Sequence, residues 1–283
     1  MKNYVKLVDF ELKRFMKIYL ALIGIVIISQ IVGVIVESNQ FMNLANGEML
    51  DGSMNLAQFL ETYWPLTMSR ILFSSWFILP VGLSAAALIF YCFFIWYRDW
   101  FGKNTFIYRL LMLPTARINI LLAKASAIFL MVLGLVSIQL ILLPIENIIF
   151  QTIVPLDLRV DMTIREIVNV SGYTGYNGYL QMLLPTSIVQ FFINYGIGFM
   201  TVFTLFTAIL FERSYRIKGI IFGVAYCIFA LVIFLSPFII EVFSEFGYFY
   251  PEELFIIEVI LGIIVTGISI WVSHYLLNRK VTV

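Results

Sequence analysis

Charge is scarce in this chain. Only 12% of its 283 residues are Asp, Glu, Lys or Arg, about half the share found in soluble globular domains. That shortage, with 61% hydrophobic residues and a mean hydropathy of +0.97, excludes a solvated globular protein and points to a polytopic membrane protein. Histidine occurs once, as His274, and cysteine twice, as Cys92 and Cys227 inside apolar runs. These counts exclude a disulfide framework and a metal site built from several His and Cys ligands. No Gly-x-Ser-x-Gly elbow accompanies the single histidine, so a Ser-His hydrolase has no footing. Gly102-Lys103-Asn104-Thr105 superficially suggests a phosphate loop. The first glycine of that motif is replaced by Tyr97, and Asn104 stands where a hydroxyl residue should follow the lysine. The chain therefore reads as a non-enzyme that binds no cofactor, metal or nucleic acid of its own.

The apolar runs are long. The expected fold is all-α, a single membrane domain over 1–283 with six spans at 18–36, 71–97, 118–143, 183–211, 219–240 and 254–277. Each is close to or above the roughly 20 residues that cross a hydrocarbon core. Pro80 and Pro185 are candidate kink sites, and Pro144 marks the expected end of the third span. Residues 1–17 are expected to form an amphipathic interfacial helix. Val5, Val8, Leu12, Phe15 and Tyr19 recur at helical spacing, with Lys2, Lys6, Asp9, Lys13 and Lys17 on another face that suits anionic membrane lipid. Fifteen of the 18 basic residues fall in 1–17, 98–124, 212–218 and 278–283; the other three are Arg70, Arg159 and Arg165. The positive-inside rule puts the basic side, and both termini, in the cytoplasm. High Ile, Phe, Lys and Asn content suggests a low-GC bacterium, hence a bacterial cell membrane. The outer loops, 37–70 and 144–182, are too short for a soluble domain; the first is expected to hold a short helix, Met54–Tyr63, and the second carries a turn-rich aromatic stretch at 172–179. Asn169-Val170-Ser171 matches a glycosylation sequon of low specificity.

Polar residues inside spans are few. Ser187, Gln190, Asn194, Thr201 and Thr204 share a face of the fourth span, a candidate pathway lining or dimer face, with packing or dimer contact favoured. Glu258, about a turn inside the sixth span, is the deepest acid and a candidate functional group. Gln30 and Gln139 are polar points on other spans. Lys124 is expected to snorkel at the inner end of the third span. Gly219 and Gly223 make a GxxxG packing notch in the fifth.

The stretch from Trp96 to Lys124 is the most basic connection, with Asp99 its only acid. Thr105 is placed to cap a short helix before Pro114. Phe106, Leu110 and Leu113 lie on one face of it, with Arg109 beside them. The run Thr105-Phe106-Ile107-Tyr108-Arg109-Leu110-Leu111-Met112-Leu113-Pro114-Thr115-Ala116-Arg117, followed by Lys124, resembles the segment between the second and third spans of type-2 ATP-binding cassette exporter permeases. The layout of an entry helix, six spans and cytoplasmic termini is similar too; the outer loops are larger than in many members.

The resemblance implies a permease subunit whose 98–117 connection docks on a cytoplasmic ATPase through Thr105, Phe106, Arg109, Leu110, Leu113, Pro114 and Arg117. It implies ATP and Mg on that partner, a second permease chain, homo- or heterodimeric, and export of an amphiphile such as a peptide antibiotic, drug, lipid or glycan. The residues themselves leave open a ligand-sensing or assembly subunit without transport, or an ion-coupled carrier.

Overall fold

The computed structural model describes residues 2–50, 54–101, 106–112, 115–169, 180, 183–185, 187–243 and 250–280. The chain is all-α, a polytopic membrane protein. Among the described residues six helices are long and apolar enough to cross a bilayer. They are α1 (Lys2–Leu50), α4 (Ser75–Trp100), α6 (Ile118–Ile153), α8 (Ile188–Tyr215), α9 (Ile217–Phe243) and α10 (Pro251–Arg279). Shorter helices are α2 (Leu56–Tyr63), α3 (Met68–Leu72), α5 (Phe106–Leu111) and α7 (Ile164–Asn169).

Several boundaries differ from the expectation. The interfacial helix and the first span are one continuous α1 of 49 residues, about 74 Å long at 1.5 Å per residue and more than twice a hydrocarbon core. No glycine or proline breaks it near residue 17. Pro144 lies inside α6 rather than ending it. A proline removes one backbone donor, which a helix packed among neighbours tolerates. The second span is preceded by the separate turn α3, and Pro80 sits within α4, where Ser84 Oγ donates to the Pro80 carbonyl at 2.8 Å.

The chain divides into two compact units. One comprises residues 16–87 and 132–186, the other 1–15, 88–131 and 187–283, so α1, α4 and α6 each contribute to both.

In the 16–87 and 132–186 unit, α1 and α6 carry matched buried stripes. Gln30, Val34, Ser38, Phe41 and Ala45 on α1 and Gln139, Leu143, Glu146 and Phe150 on α6 are buried, as is Val154 just past its end. The two glutamines exchange amide hydrogen bonds at 3.0 and 3.1 Å, which sets the register. Phe59, Leu66, Met68, Ile71, Leu72 and Phe77 complete the same core. Gly33 lets α1 approach Trp76, where a Cβ would collide with its side chain. Asn55 and Gln58 form the capping box that starts α2. Strands β1 (Leu66–Thr67) and β2 (Arg159–Val160) pair in parallel. Arg159 donates to the Gln151 carbonyl at 2.6 Å and to the Val154 carbonyl, satisfying the last carbonyls of α6. At the start of α7 the Thr163 amide and hydroxyl donate to Glu166 at 2.7 and 2.8 Å and hold its carboxyl below the usual range. The two connections thus fold around one core, although each alone is too short for a domain. The stretch 170–179, with most of the sequon, lies outside the described residues.

In the 1–15, 88–131 and 187–283 unit, α8 packs on α9 and on α10. Gly219 and Gly223 are buried against the Phe211 and Ala208 backbones. They are the expected notch; the turn before them is made by Arg216 at φ 55°.

Candidate functional site

Five charged side chains meet where the start of α1, the end of α4 and the start of α6 come together. Lys124 is fully buried. Its ammonium donates to Glu11 Oε1 at 2.7 Å, Asp99 Oδ2 at 2.5 Å and the Ile95 carbonyl at 3.0 Å, using all three of its protons. Arg98 donates to Glu11 Oε2 at 2.9 Å, and Arg14 to Asp99 Oδ1 at 2.6 Å. Both carboxylates are thereby bridged between two cations, and Glu11 and Asp99 are themselves buried. Trp96 lies 5.2 Å from the Lys124 ammonium, face on. The expectation that Lys124 snorkels is corrected: two acids hold it inside. Helix spacing explains the convergence. Glu11 falls three residues after Val8 and four before Phe15, on the buried face of α1, and Phe15 stacks on Tyr91 of α4.

The cluster reaches α5 through Arg14. Its guanidinium lies 5.0 Å from the Phe10 ring and 5.2 Å from that of Phe106, and these two rings stack at 5.5 Å. Ile107, Leu110 and Leu111 are buried, whereas Tyr108, Arg109 and Met112 are exposed. Of the expected docking face, Leu110 is buried and Phe106 half-buried, while Arg109 is exposed. Phe106 and Leu110 attach the helix to its own unit, and Tyr108, Arg109 and Met112 form the row turned outward. Thr105, Leu113 and Pro114 lie outside the described residues, as does 102–104. Arg117 donates to the Leu277 carbonyl at 2.6 Å, tying the start of α6 to the last turn of α10. Nearby, the Tyr97 hydroxyl donates to Glu212, and the Arg213 guanidinium stands 4.6 Å from the Tyr97 ring.

The polar face expected on the fourth span is not one site. Ser187 is the N-cap of α8, accepting from the Gln190 amide at 3.1 Å. Gln190 and Asn194 are half-buried, and Thr201 is exposed with its hydroxyl on the Ile197 carbonyl. Thr204 is buried and belongs to a different set. With Thr207, Ser269, Ser273 and Tyr226 it forms a hydroxyl seam among α8, α9 and α10, in which Thr207 and Ser273 are 2.8 Å apart and Tyr226 and Ser269 2.8 Å. Such a seam fastens helices to one another. Glu258 is half-buried about two turns into α10. Among the described residues no group of three His, Cys, Asp or Glu side chains is placed to hold a metal.

Sequence reasoning missed Glu11, Arg14 and Arg98 as partners of Lys124 and Asp99. The available signal was an acid on the apolar stripe of a mostly basic entry helix. Thr207, Ser269 and Ser273 were missed because single hydroxyls in apolar runs resemble ordinary span composition.

Compared with known protein families, with curated proteins and with solved structures, the chain matches none. Three cations and two carboxylates, mostly out of water, form a rigid joint among three long helices. Its energetic signature is asymmetric: the assembled network is near neutral in cost, but losing one member strands a buried charge.

Proposed function

We propose that this chain is the membrane-spanning subunit of an ATP-driven exporter of an amphiphilic substrate, seated on a separate cytoplasmic ATPase and paired with a second permease chain in a bacterial cell membrane. The observation that carries the reading is the attachment of α5 to the charge cluster. A short helix turned outward through Tyr108, Arg109 and Met112 is joined by Phe106, Phe10 and Arg14 to Asp99 and Lys124. A push on α5 therefore reaches α1, α4 and α6 through contacts that resist shear. The basic side of the chain would face the ATPase, with ATP and Mg bound there. ATP can drive the spans only if the permease's two states bind the closed ATPase with different affinity.

The test is co-purification with a co-expressed ATP-binding cassette ATPase from the same genome. Tyr108→Asp with Met112→Asp should abolish association while the purified permease keeps its wild-type thermal stability. Undiminished association, with unchanged ATP hydrolysis by the reconstituted pair, would sink the docking assignment. Leu110→Asp is a poor probe, because Leu110 is buried and its loss would disturb the fold.

A second reading is favoured by the separate core of the 16–87 and 132–186 unit. A folded outer body suits a ligand-sensing or assembly subunit that does not transport. Association with the ATPase but no ATP-dependent movement of fluorescent amphiphiles into inside-out vesicles would select it.

A further inference from the structure

Two cations stand where the local backbone disfavours them. Arg216 joins α8 to α9 at φ 55° and ψ −129°, a conformation that glycine adopts freely and L side chains rarely do. Strain of this kind persists where something is gained from it. Lys218 lies in the first turn of α9, at the positive end of the helix dipole, where an anion is stabilised and a cation is not. Both side chains are exposed. Among the described residues neither pairs with a carboxylate. Glu212, the acid nearest in sequence, is taken by the Tyr97 hydroxyl and by Arg213 at 3.7 Å.

The end of α10 comes to the same place. Tyr215, the last residue of α8, makes ring contacts with Phe211 and with Phe222 of α9 at 6.5 and 5.9 Å. The Lys280 ammonium lies 5.8 Å from the Tyr215 ring. Arg279, next to Lys280, is 5.9 Å from the Tyr275 ring. Arg279 and Lys280 are exposed too, and among the described residues they also lack a carboxylate partner. A helix C-terminus suits a cation, so these two are at ease without one, whereas Arg216 and Lys218 are not. The helix sides next to these charges are apolar and open. Ile217 is 80% exposed, Ile221 67%, and Trp271, stacked on Tyr275, 68%. Basic residues at the ends of membrane helices, with aromatics at their border and apolar surface beyond, suit the headgroup layer of a leaflet.

We propose that Arg216, Lys218 and Lys280, with Arg279 beside them, bind the headgroup phosphate of an anionic phospholipid. A phosphodiester supplies the acceptor oxygens that guanidinium and ammonium groups match. Its negative charge offsets the placement of Lys218 at the start of α9 and gives the strained Arg216 a partner. The acyl chains lie along the open apolar sides of α9 and α10. An acidic protein surface matches the charge but leaves that apolar border unused. The site requires only that the chain spans a membrane, and it does not rest on the transport reading.

The experiment titrates the full chain in detergent with phosphatidylglycerol or with phosphatidylcholine of the same acyl chains, reading Tm and the lipid retained in native mass spectrometry. Phosphatidylglycerol should raise Tm saturably by a few degrees and stay bound when phosphatidylcholine is lost, a preference that weakens as NaCl is added. Arg216→Gln with Lys218→Gln and Lys280→Gln should lower the affinity for phosphatidylglycerol several-fold. Lys6→Gln with Lys13→Gln and Lys17→Gln removes as many exposed charges from α1 and should lower it far less. Arg216→Gly separates the site from the scaffold and serves if the triple variant folds poorly. Glycine relieves the backbone, so the Tm without lipid should hold or rise while the phosphatidylglycerol affinity falls. Equal stabilisation by the two lipids overturns the proposal, and so do equal losses in the two triple variants. An equal rise in Tm with inorganic phosphate also overturns it, since no lipid is then needed. A lipid preference kept by the Arg216, Lys218 and Lys280 triple variant, with ATPase association lost, would give the patch to a protein partner instead.

Discussion

At the scale of single residues, Lys124 is where sequence and structure part most. A lysine at the end of a span ordinarily lifts its ammonium to water. Here the acids are brought to the lysine, because Glu11 shares the buried face of Val8 and Phe15, and Asp99 sits one turn beyond Ile95 on α4. Nothing local to residue 124 reveals this; the partners lie 113 and 25 residues away. The helix Phe106–Leu111 was legible in the sequence, but not which of its sides faces out, since that depends on Phe10 and Arg14 of α1. Lys124→Met keeps the volume and removes the charge. It leaves Glu11 with Arg98 and, at 4.0 Å, Arg14, and Asp99 with Arg14 alone. The expected cost is about 3 to 5 kcal/mol, read as a lower Tm and a lower urea midpoint for the purified chain. Lys13→Met, which removes an exposed partner of Asp9, should change stability by less than about 0.5 kcal/mol. Equal losses in the two variants would mean that the cluster has no special role in holding the three helices.

At the scale of elements, composition and apolar runs made the six long helices legible, because hydrocarbon thickness sets a minimum length that chance rarely meets. Their ends were less so. The expected ends of the first and third spans, Val36 and Leu143, are where an apolar run alone would stop. The helices go on to Leu50 and Ile153 because Phe41, Ala45, Phe150 and Val154 find partners in α2, α3 and the β pair. That is tertiary information, absent from any window of sequence. Gly219 and Gly223, by contrast, were readable in place, since a backbone contact demands small residues at fixed spacing. Gln30 and Gln139 were visible as polar points but not as a pair. Their reciprocal bond makes a clear double-mutant prediction. Gln30→Leu or Gln139→Leu alone strands an amide in the core and should cost about 1 kcal/mol or more. The double variant should recover most of that loss, giving a coupling energy measurable from the four Tm values. Additive losses would show that the two amides do not depend on each other.

At the scale of the whole molecule, the segregation of charge makes a claim that geometry alone does not supply. Fifteen basic residues fall in the termini and two connections, and three in the other loops. If the positive-inside rule governs this chain, α5 and both termini share the cytoplasmic side, while α2 and the β pair stand outside. Two exposed positions separate the alternatives. Leu156, 68% exposed beside the β pair, and Met112, 70% exposed after α5, are each suited to a single cysteine. Cys92 is buried and Cys227 half-buried, so both are replaced by alanine in the background. In intact bacteria expressing the chain, a membrane-impermeant maleimide should label Leu156→Cys at once and Met112→Cys only after permeabilisation. The reverse pattern would place α5 outside, beyond the reach of any cytoplasmic ATPase. It would thereby remove the exporter reading while leaving the charge cluster untouched, since that does not depend on which way the chain faces.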